Sequence, residues 1–287
     1  MINLVKIAIG MVLATSAMHA QAENYLFSTD VLPEGDIDVQ AQFSFLEYDQ
    51  DEDATIFGLP LRATGKNEIT NTNIRVRYGI GSNWHIGATL PHTNSESHYT
   101  TRSGSAFIIG GDKTRSTYTG NALLFAKYQF NLPEASPYTL SAGVSLAANT
   151  ANNGYTGLET FLSAGYLLNN KARAYADLST TFYDLATAAN NEKLGIGVFY
   201  QFDPNLIFVP KYKLMHIHKV HAGGLTLATS RYVQSMGLEA QIRLATKIYL
   251  IPYFGFEYIG GSKNDFGMKT HDSDDGKNVS ISLYHLF

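Results

Sequence analysis

The sequence predicts an all-β protein: a transmembrane up-and-down antiparallel β-barrel of about twelve strands behind an N-terminal signal peptide. Three observations predict it. Apolar and polar residues alternate through segments of roughly ten residues. The connections between those segments are short and long in turn, and aromatic residues gather beside the short ones.

The chain opens MINLVKIAIGMVLATSAMHAQAEN, with Lys6 ahead of an apolar run from Ile7 to Ala14 and small residues at Ala20-Gln21-Ala22. That is the layout of a secretory signal, too short in its apolar part to span a bilayer. Residues 1–22 read as the signal and 23–287 as the barrel, the mature chain starting near Glu23. With no Cys, the protein carries no cysteine-linked lipid anchor and no disulfides. Beyond the signal no stretch approaches the ~20 apolar residues of a membrane helix. Mean hydropathy is -0.10 and net charge -4. Such values fit a barrel, in which only every second strand residue meets lipid. Low charge (16%) with 18 Tyr and 16 Phe favours strands over helices. The near-neutral balance gives no reason to expect nucleic acid as a partner.

The strands follow in order. In DIDVQAQFSF (Asp36 to Phe45), Ile37, Val39, Ala41, Phe43 and Phe45 alternate with Asp36, Asp38, Gln40, Gln42 and Ser44. Successive side chains on a strand face opposite sides, so this strand has one apolar and one polar face. Ile74, Val76 and Tyr78 repeat the pattern, as do Trp84 to Leu90, Tyr138 to Leu146, Leu158 to Tyr166, Leu194 to Tyr200 and Met236 to Leu244. Short connections fall at Gly79 to Asn83, Asn131 to Pro137, Asn169 to Lys171, Asp203 to Asn205 and near Thr246. Long polar ones fall at Asp49 to Lys66, Thr101 to Thr117, Thr150 to Thr156, Asp184 to Asn191, Lys219 to Thr229 and Gly261 to Lys277. Strict alternation of this kind is the mark of an outer-membrane meander, with short periplasmic turns and longer outer loops. A Greek-key sandwich would scatter its connection lengths. Tyr78, Trp84, Tyr128, Phe130, Tyr138, Tyr166 and Tyr200 sit on apolar faces near short turns, as a girdle at the headgroup boundary requires. Pro210 and Pro252 lie inside expected strands, where each removes a ladder hydrogen bond, and Leu206 to Val209 is apolar on both faces; a bulge or a strand end would reconcile them.

The last strand, NVSISLYHLF, ends on Phe287 and resembles the terminal signal by which outer-membrane barrels are assembled, with His285 a departure from it. The apolar faces are therefore expected to meet lipid. Expected partners are membrane lipids and lipopolysaccharide, the assembly machinery through Phe287, and a small solute, in a monomer of a Gram-negative outer membrane.

Alternation places the bases Arg75, Arg77, Lys127, Arg173, Lys193, Lys211, Lys213, Arg231, Arg243 and Lys247 inside as pore-lining candidates. The acids Asp36, Asp38, Glu159, Asp177, Glu239 and Glu257 join them. Rings of like charge would select anionic or polar solutes. Opposite charges paired across a narrow bore would instead act as a structural plug. His216 and His218 share a strand face and could hold Zn2+ or Cu2+, but no acid lies beside them in the sequence, so no metal or other cofactor is expected. The acidic runs Asp49 to Asp53 and Asp272 to Gly276 lack the closing Glu of a calcium loop. No G-x-S-x-G occurs, and the pairs His92 with Ser95 and Ser97 with His98 have no orienting carboxylate at strand spacing, so no catalytic residues are expected.

RYGIGSNWHIGATLPH (Arg77 to His92) is similar to a strand, turn and strand ending in Leu-Pro in the outer-membrane family "MetA-pathway of phenol degradation". GNALLFAKY (Gly120 to Tyr128) resembles that family's Gly-Asp strand leading to Lys-Tyr, with Asn121 in place of the Asp. The resemblance implies a channel for passive uptake of small solutes, aromatic or apolar compounds among them, and carries over no functional residues. The alternatives are a plugged barrel acting through its outer loops as a structural or surface-interaction protein, and, behind both, an outer-membrane hydrolase.

Overall fold

The structure, a computed structural model, describes residues 30–56, 59–103, 107–133, 136–148, 156–184, 189–222, 225–263, 269–271 and 274–287. The segment expected to be a signal, residues 1–22, and Glu23 lie outside the described residues.

The strands are β1 Ile37–Ile56, β2 Leu59–Gly79, β3 Trp84–Ser103, β4 Phe107–Thr119, β5 Ala122–Gln129, β6 Tyr138–Ala148, β7 Gly157–Asn169 and β8 Ala172–Tyr183. They continue with β9 Asn191–Asp203, β10 Leu206–Ile217, β11 Val220–Ala222, β12 Leu225–Ala228, β13 Arg231–Ala245, β14 Ile248–Ile259, β15 Ser262–Lys263, β16 Lys269–His271 and β17 Asp274–Leu286. One sheet holds thirteen of them, all pairs antiparallel, and β1 bonds both β2 and β17, so the sheet closes on itself. β4 and β5 both pair with β3, at its outer and inner halves respectively, and count as one position, which leaves twelve around the ring. The break between them falls at Gly120, whose N–H donates to the Pro91 carbonyl at 2.9 Å. β11 with β12 and β15 with β16 form small hairpins in the outer connections. Closure removes the sheet's edges and leaves the backbone paired around the ring, as a bilayer demands.

The usual burial order is inverted. Phe43 is 49% exposed while its neighbour Ser44 is 2% exposed; on β13, Met236 is 60% exposed and Gln241 1%. Apolar side chains cover the outside of the wall and polar ones fill the inside. The girdle rings touch in series: Trp84 and Tyr128 lie 4.8 Å apart, Tyr128 and Phe130 5.2 Å, Tyr138 and Tyr166 5.0 Å. Above Phe43, Ile74 and Leu90 the outward face of β1–β4 turns hydrophilic. There Lys66 bridges Glu47 (2.9 Å) and Glu68 (3.2 Å), and Glu96 pairs with Lys113 and His98. The Lys113 ammonium, then the His98 imidazole, hold the Glu96 carboxyl below its ordinary range. This change of outward chemistry marks where the wall leaves the membrane.

One expectation needs correction here. Asp49 to Lys66 and Thr101 to Thr117, expected as loops, are mostly strand: β1 pairs with β2 out to Ile56 and Leu59, and β3 with β4 out to Ser103 and Phe107. The apolar–polar alternation stops in these runs while the ladder continues. The prolines stay inside strands. Pro210 keeps its β13 partner, but the β9 ladder is interrupted from Val209; Pro252 keeps β17 while the β13 ladder is interrupted. Each missing N–H thus costs one side of the pairing. The apolar stretch at Leu206 begins with a register shift against β9 at Leu206/Ile207, and Val209 turns inward, 1% exposed.

Candidate functional site

The interior is built in levels. At the short-turn end a strap, residues 30–36, enters the bore ahead of β1. Asp30 accepts from Arg173 on β8 (2.8 Å), Val31 N–H donates to Gln129 Oε1 on β5 (3.1 Å), and Leu32 N–H donates to His85 Nδ1 on β3 (3.2 Å). Gly35 N–H then donates to the Gly79 carbonyl of β2, and Gly79 N–H to the Asp36 carbonyl. The strap so touches β8, β5, β3 and β2 in turn, and β8 stands opposite β1 in the ring order. Seven residues reach ~23 Å, enough to cross such a bore. Gly35 takes φ +83° in the turn into β1, where Asp36 N–H returns to the Pro33 carbonyl. A Cβ on Gly79 would sit 1.8 Å from the Pro33 oxygen, so only glycine lets the strap lie against β2. His85 accepts through Nδ1, which puts the proton of a neutral ring on Nε2.

Beside the strap lies a buried charged level. Arg77 Nε donates to Asp38 Oδ2 (2.9 Å), and Tyr284 Oη donates to the same oxygen (2.9 Å). Arg75 donates to Gln40, its partner in register. Asp38 and Lys127 are fully buried. Farther in, Lys211 pairs with Glu239 (2.8 Å), Gln241 donates to the same carboxylate, and the ammonium lies 4.4 Å from the Tyr253 ring centre. Lys193 pairs with Glu159 (2.9 Å), which also accepts from Ser179. Tyr48 donates to Glu257 across β17. Asp177 and Arg231 are buried, Lys213 half-buried, and Asp36 half-buried at the foot of the strap. Arg243 donates to the carbonyls of Ala245 and Thr246, and Lys247 stands exposed in that same short turn. Five of the acids are thus tied to named donors on neighbouring or facing strands: Asp38, Glu159, Glu239, Glu257 and the strap's Asp30.

A second set of inward groups escapes a reading by alternation. Phe125 lies over Gly87, its partner in register, and Phe161 over Gly143, where added Cβ atoms would stand 2.4 and 2.3 Å from the ring. Tyr175 covers Gly197, Tyr183 covers Gly157 and Tyr48 covers Gly276 in the same way. Aromatics laid flat over cross-strand glycines shield the backbone and keep the ring out of the bore. The sequence signal is an aromatic on a polar face with glycine at matching depth on the next strand.

At the outer end one side of the interior becomes apolar. Leu46, Tyr48 and Ile69 from β1 and β2 join Met215, Ile217, Val233 and Ile259 from β10, β13 and β14, and Ala189 and Val220 from two outer connections pack on them. Next to it β7 and β9 carry the Glu159–Lys193 pair, Lys193 being the register partner of Met215. The outer mouth therefore has an oily half and a charged half.

Neither pair weighed for catalysis shares a face: His92 and His98 are exposed outward, Ser95 and Ser97 buried inward. The acid absent from the sequence neighbourhood of His216 and His218 is supplied by β9, where Glu192 opposes His216. Asp272 lies outside the described residues, as do the side chains of residues 50–53.

No family model matches the chain, and no curated protein matches it. Among solved structures, an outer membrane channel from Pseudomonas putida F1 superposes at TM-score 0.60 with 12% identity, over 92% of this chain and 100% of that one. NanC porin gives 0.47 with 11% identity over 86% and 98%, and the outer membrane protease OmpT of Escherichia coli 0.44 with 10% over 91% and 100%. Likenesses of the last two sizes distinguish no function. The closed ring, its apolar outer surface and the first likeness together make this chain an outer-membrane β-barrel.

Proposed function

We propose that the protein is exported by its N-terminal signal, inserted through the Phe287-ended last strand, and acts as a monomeric passive channel for small solutes of apolar or aromatic character. One observation carries the reading: the apolar half of the outer mouth, Leu46, Ile69, Met215, Ile217, Val233 and Ile259, on the inner surface of a membrane wall. These side chains pack on one another and face the interior rather than lipid, and such an apolar lining is the kind of site that draws an oily solute from water. Past it, the aromatic rings over glycine and then the paired charges line the way to the strap. Four inward bases, Arg77, Arg173, Lys193 and Lys211, are matched by acids, which weakens the field that would select anions and favours small neutral solutes. No residue pair in this reading performs chemistry, and the protein needs no bound cofactor.

The strap and the charge pairs favour a second reading, a barrel plugged at rest that acts through its outer loops. Reconstituted liposomes separate the two. Entry of a small phenolic or alkylbenzene probe faster than into empty liposomes, and faster than a monosaccharide of similar size, supports the channel. Equal rates with and without protein support the plug.

A further inference from the structure

We propose that Glu192, His216 and His218 form a binding site for a divalent transition ion of the Zn2+ class on the outer rim of the wall. The site faces away from the bore and stands independently of the channel reading. Register brings the ligands together. Glu192 on β9 is the cross-strand partner of His216 on β10, and His216 is the partner of Tyr232 on β13. His218 follows the end of β10, but its N–H donates to the Asn190 carbonyl at 2.9 Å, which prolongs the ladder by one step and returns its ring to the same face.

The three side chains already converge. His216 Nδ1 lies 3.8 Å from Glu192 Oε2, His218 Nε2 lies 3.4 Å from Glu192 Oε1, and one ligand atom from each falls within 4.8 Å of the others. Zn2+ holds N and O ligands at about 2.0–2.1 Å in a tetrahedron, which puts ligand atoms ~3.3 Å apart. The set needs to contract only slightly. The His216 ring stacks on Tyr232 at 4.7 Å and 20°, so its plane is fixed before any ion arrives. Two imidazoles and one carboxylate suit Zn2+, with Cu2+ and Ni2+ as competitors, whereas Ca2+ and Mg2+ require more oxygen ligands than this face supplies. Three protein ligands leave a fourth position for water.

The ion would act on the outer connection that follows. His218 is joined through exposed Lys219 to Val220, the first residue of the β11–β12 hairpin and a member of the apolar mouth cluster. Coordination pins the root of that hairpin to β9.

Tag-free protein in detergent is titrated calorimetrically with ZnCl2, with heat-modifiability on gels confirming that every variant is a folded barrel. The expected result is one equivalent of Zn2+ bound by the wild type, affinity reduced about tenfold or more in Glu192→Gln, and binding lost in the His216→Ala/His218→Ala double variant, with no binding of Mg2+. Zn2+ is also expected to slow tryptic cleavage after Lys219 in the wild type and to leave its rate unchanged in the double variant. Equal Zn2+ uptake by folded wild type and double variant overturns the site, as does cleavage after Lys219 at one rate with and without Zn2+.

Discussion

Asp30 and Arg173 meet at 2.8 Å across the bore, the first from the strap that precedes β1, the second from β8 on the far side of the ring. Both groups are partly solvated, so the pair stabilises the strapped state by no more than about 1 kcal/mol. Arg173→Ala should therefore shift the balance between strapped and released states by at most about fivefold. Single-channel recording in planar bilayers should find larger or longer openings in that variant, and an unchanged record would mean that the strap does not limit flow.

The aromatic rings over glycine make a sharper structural prediction. Gly143→Ala places a methyl 2.3 Å from the Phe161 ring and 2.4 Å from the Ala126 carbonyl oxygen, so both the ring and the local backbone must shift. Overpacking of this kind costs ~1–3 kcal/mol, and the midpoint of urea unfolding in detergent should fall accordingly. Combining it with Phe161→Leu should recover part of the loss.

Lys211 and Glu239 are buried together, 10% and 3% exposed. Removing one partner strands the other charge, and Glu239→Gln should destabilise the barrel by ~3–5 kcal/mol. The double change Lys211→Met with Glu239→Leu should be near neutral. The same unfolding measurement checks both, and equal losses from single and double variants would contradict the pairing.

At the outer end of β8, Asp184 accepts from both the backbone N–H and the hydroxyl of Thr156, each at 2.7 Å. These donors favour the charged form and hold the Asp184 carboxyl below its ordinary 3.8. A depressed carboxylate contributes stability above its unfolded value and loses it as pH falls through the folded one. Protection of the Thr156 amide from hydrogen exchange, corrected for intrinsic rate, should thus be flat above pH 3.8 and decline below it. In Asp184→Asn that decline should vanish.

The oily half of the outer mouth predicts selectivity. Val233→Thr with Met215→Gln keeps volume while placing polar atoms among Leu46, Ile69 and Ile259. Uptake of an alkylbenzene into liposomes should fall severalfold and that of a small polar solute should not. Equal change in both would move the selective surface elsewhere.

How much of this was legible in the sequence depends on where lipid supplies contrast. Within the bilayer, Phe43 against Ser44 or Met236 against Gln241 differ because one side meets hydrocarbon, and the alternation can be read directly. Where that contrast ends, Asp49 to Lys66 shows no alternation and looks like a loop, although it pairs as strand. Inside, alternation finds the charges but not Phe125, Phe161 or Tyr175, because an aromatic on the polar face becomes intelligible only once register sets a glycine opposite. Register likewise hides Glu192 from His216, 24 positions away along the chain (216 − 192) yet adjacent across the ladder. The strap has no period at all, and its course is fixed by partners on four distant strands.

Everything rests on which side of the wall the oily residues occupy. The chain has no native Cys, so single cysteines placed along Ser235 to Leu244 of β13 can carry spin labels in reconstituted bilayers. Labels at even positions, Met236, Leu238 and Leu244 among them, should be relaxed more by dissolved oxygen, and those at odd positions more by a water-soluble nickel chelate. Reversed phases, or no two-residue period, would contradict the barrel described above.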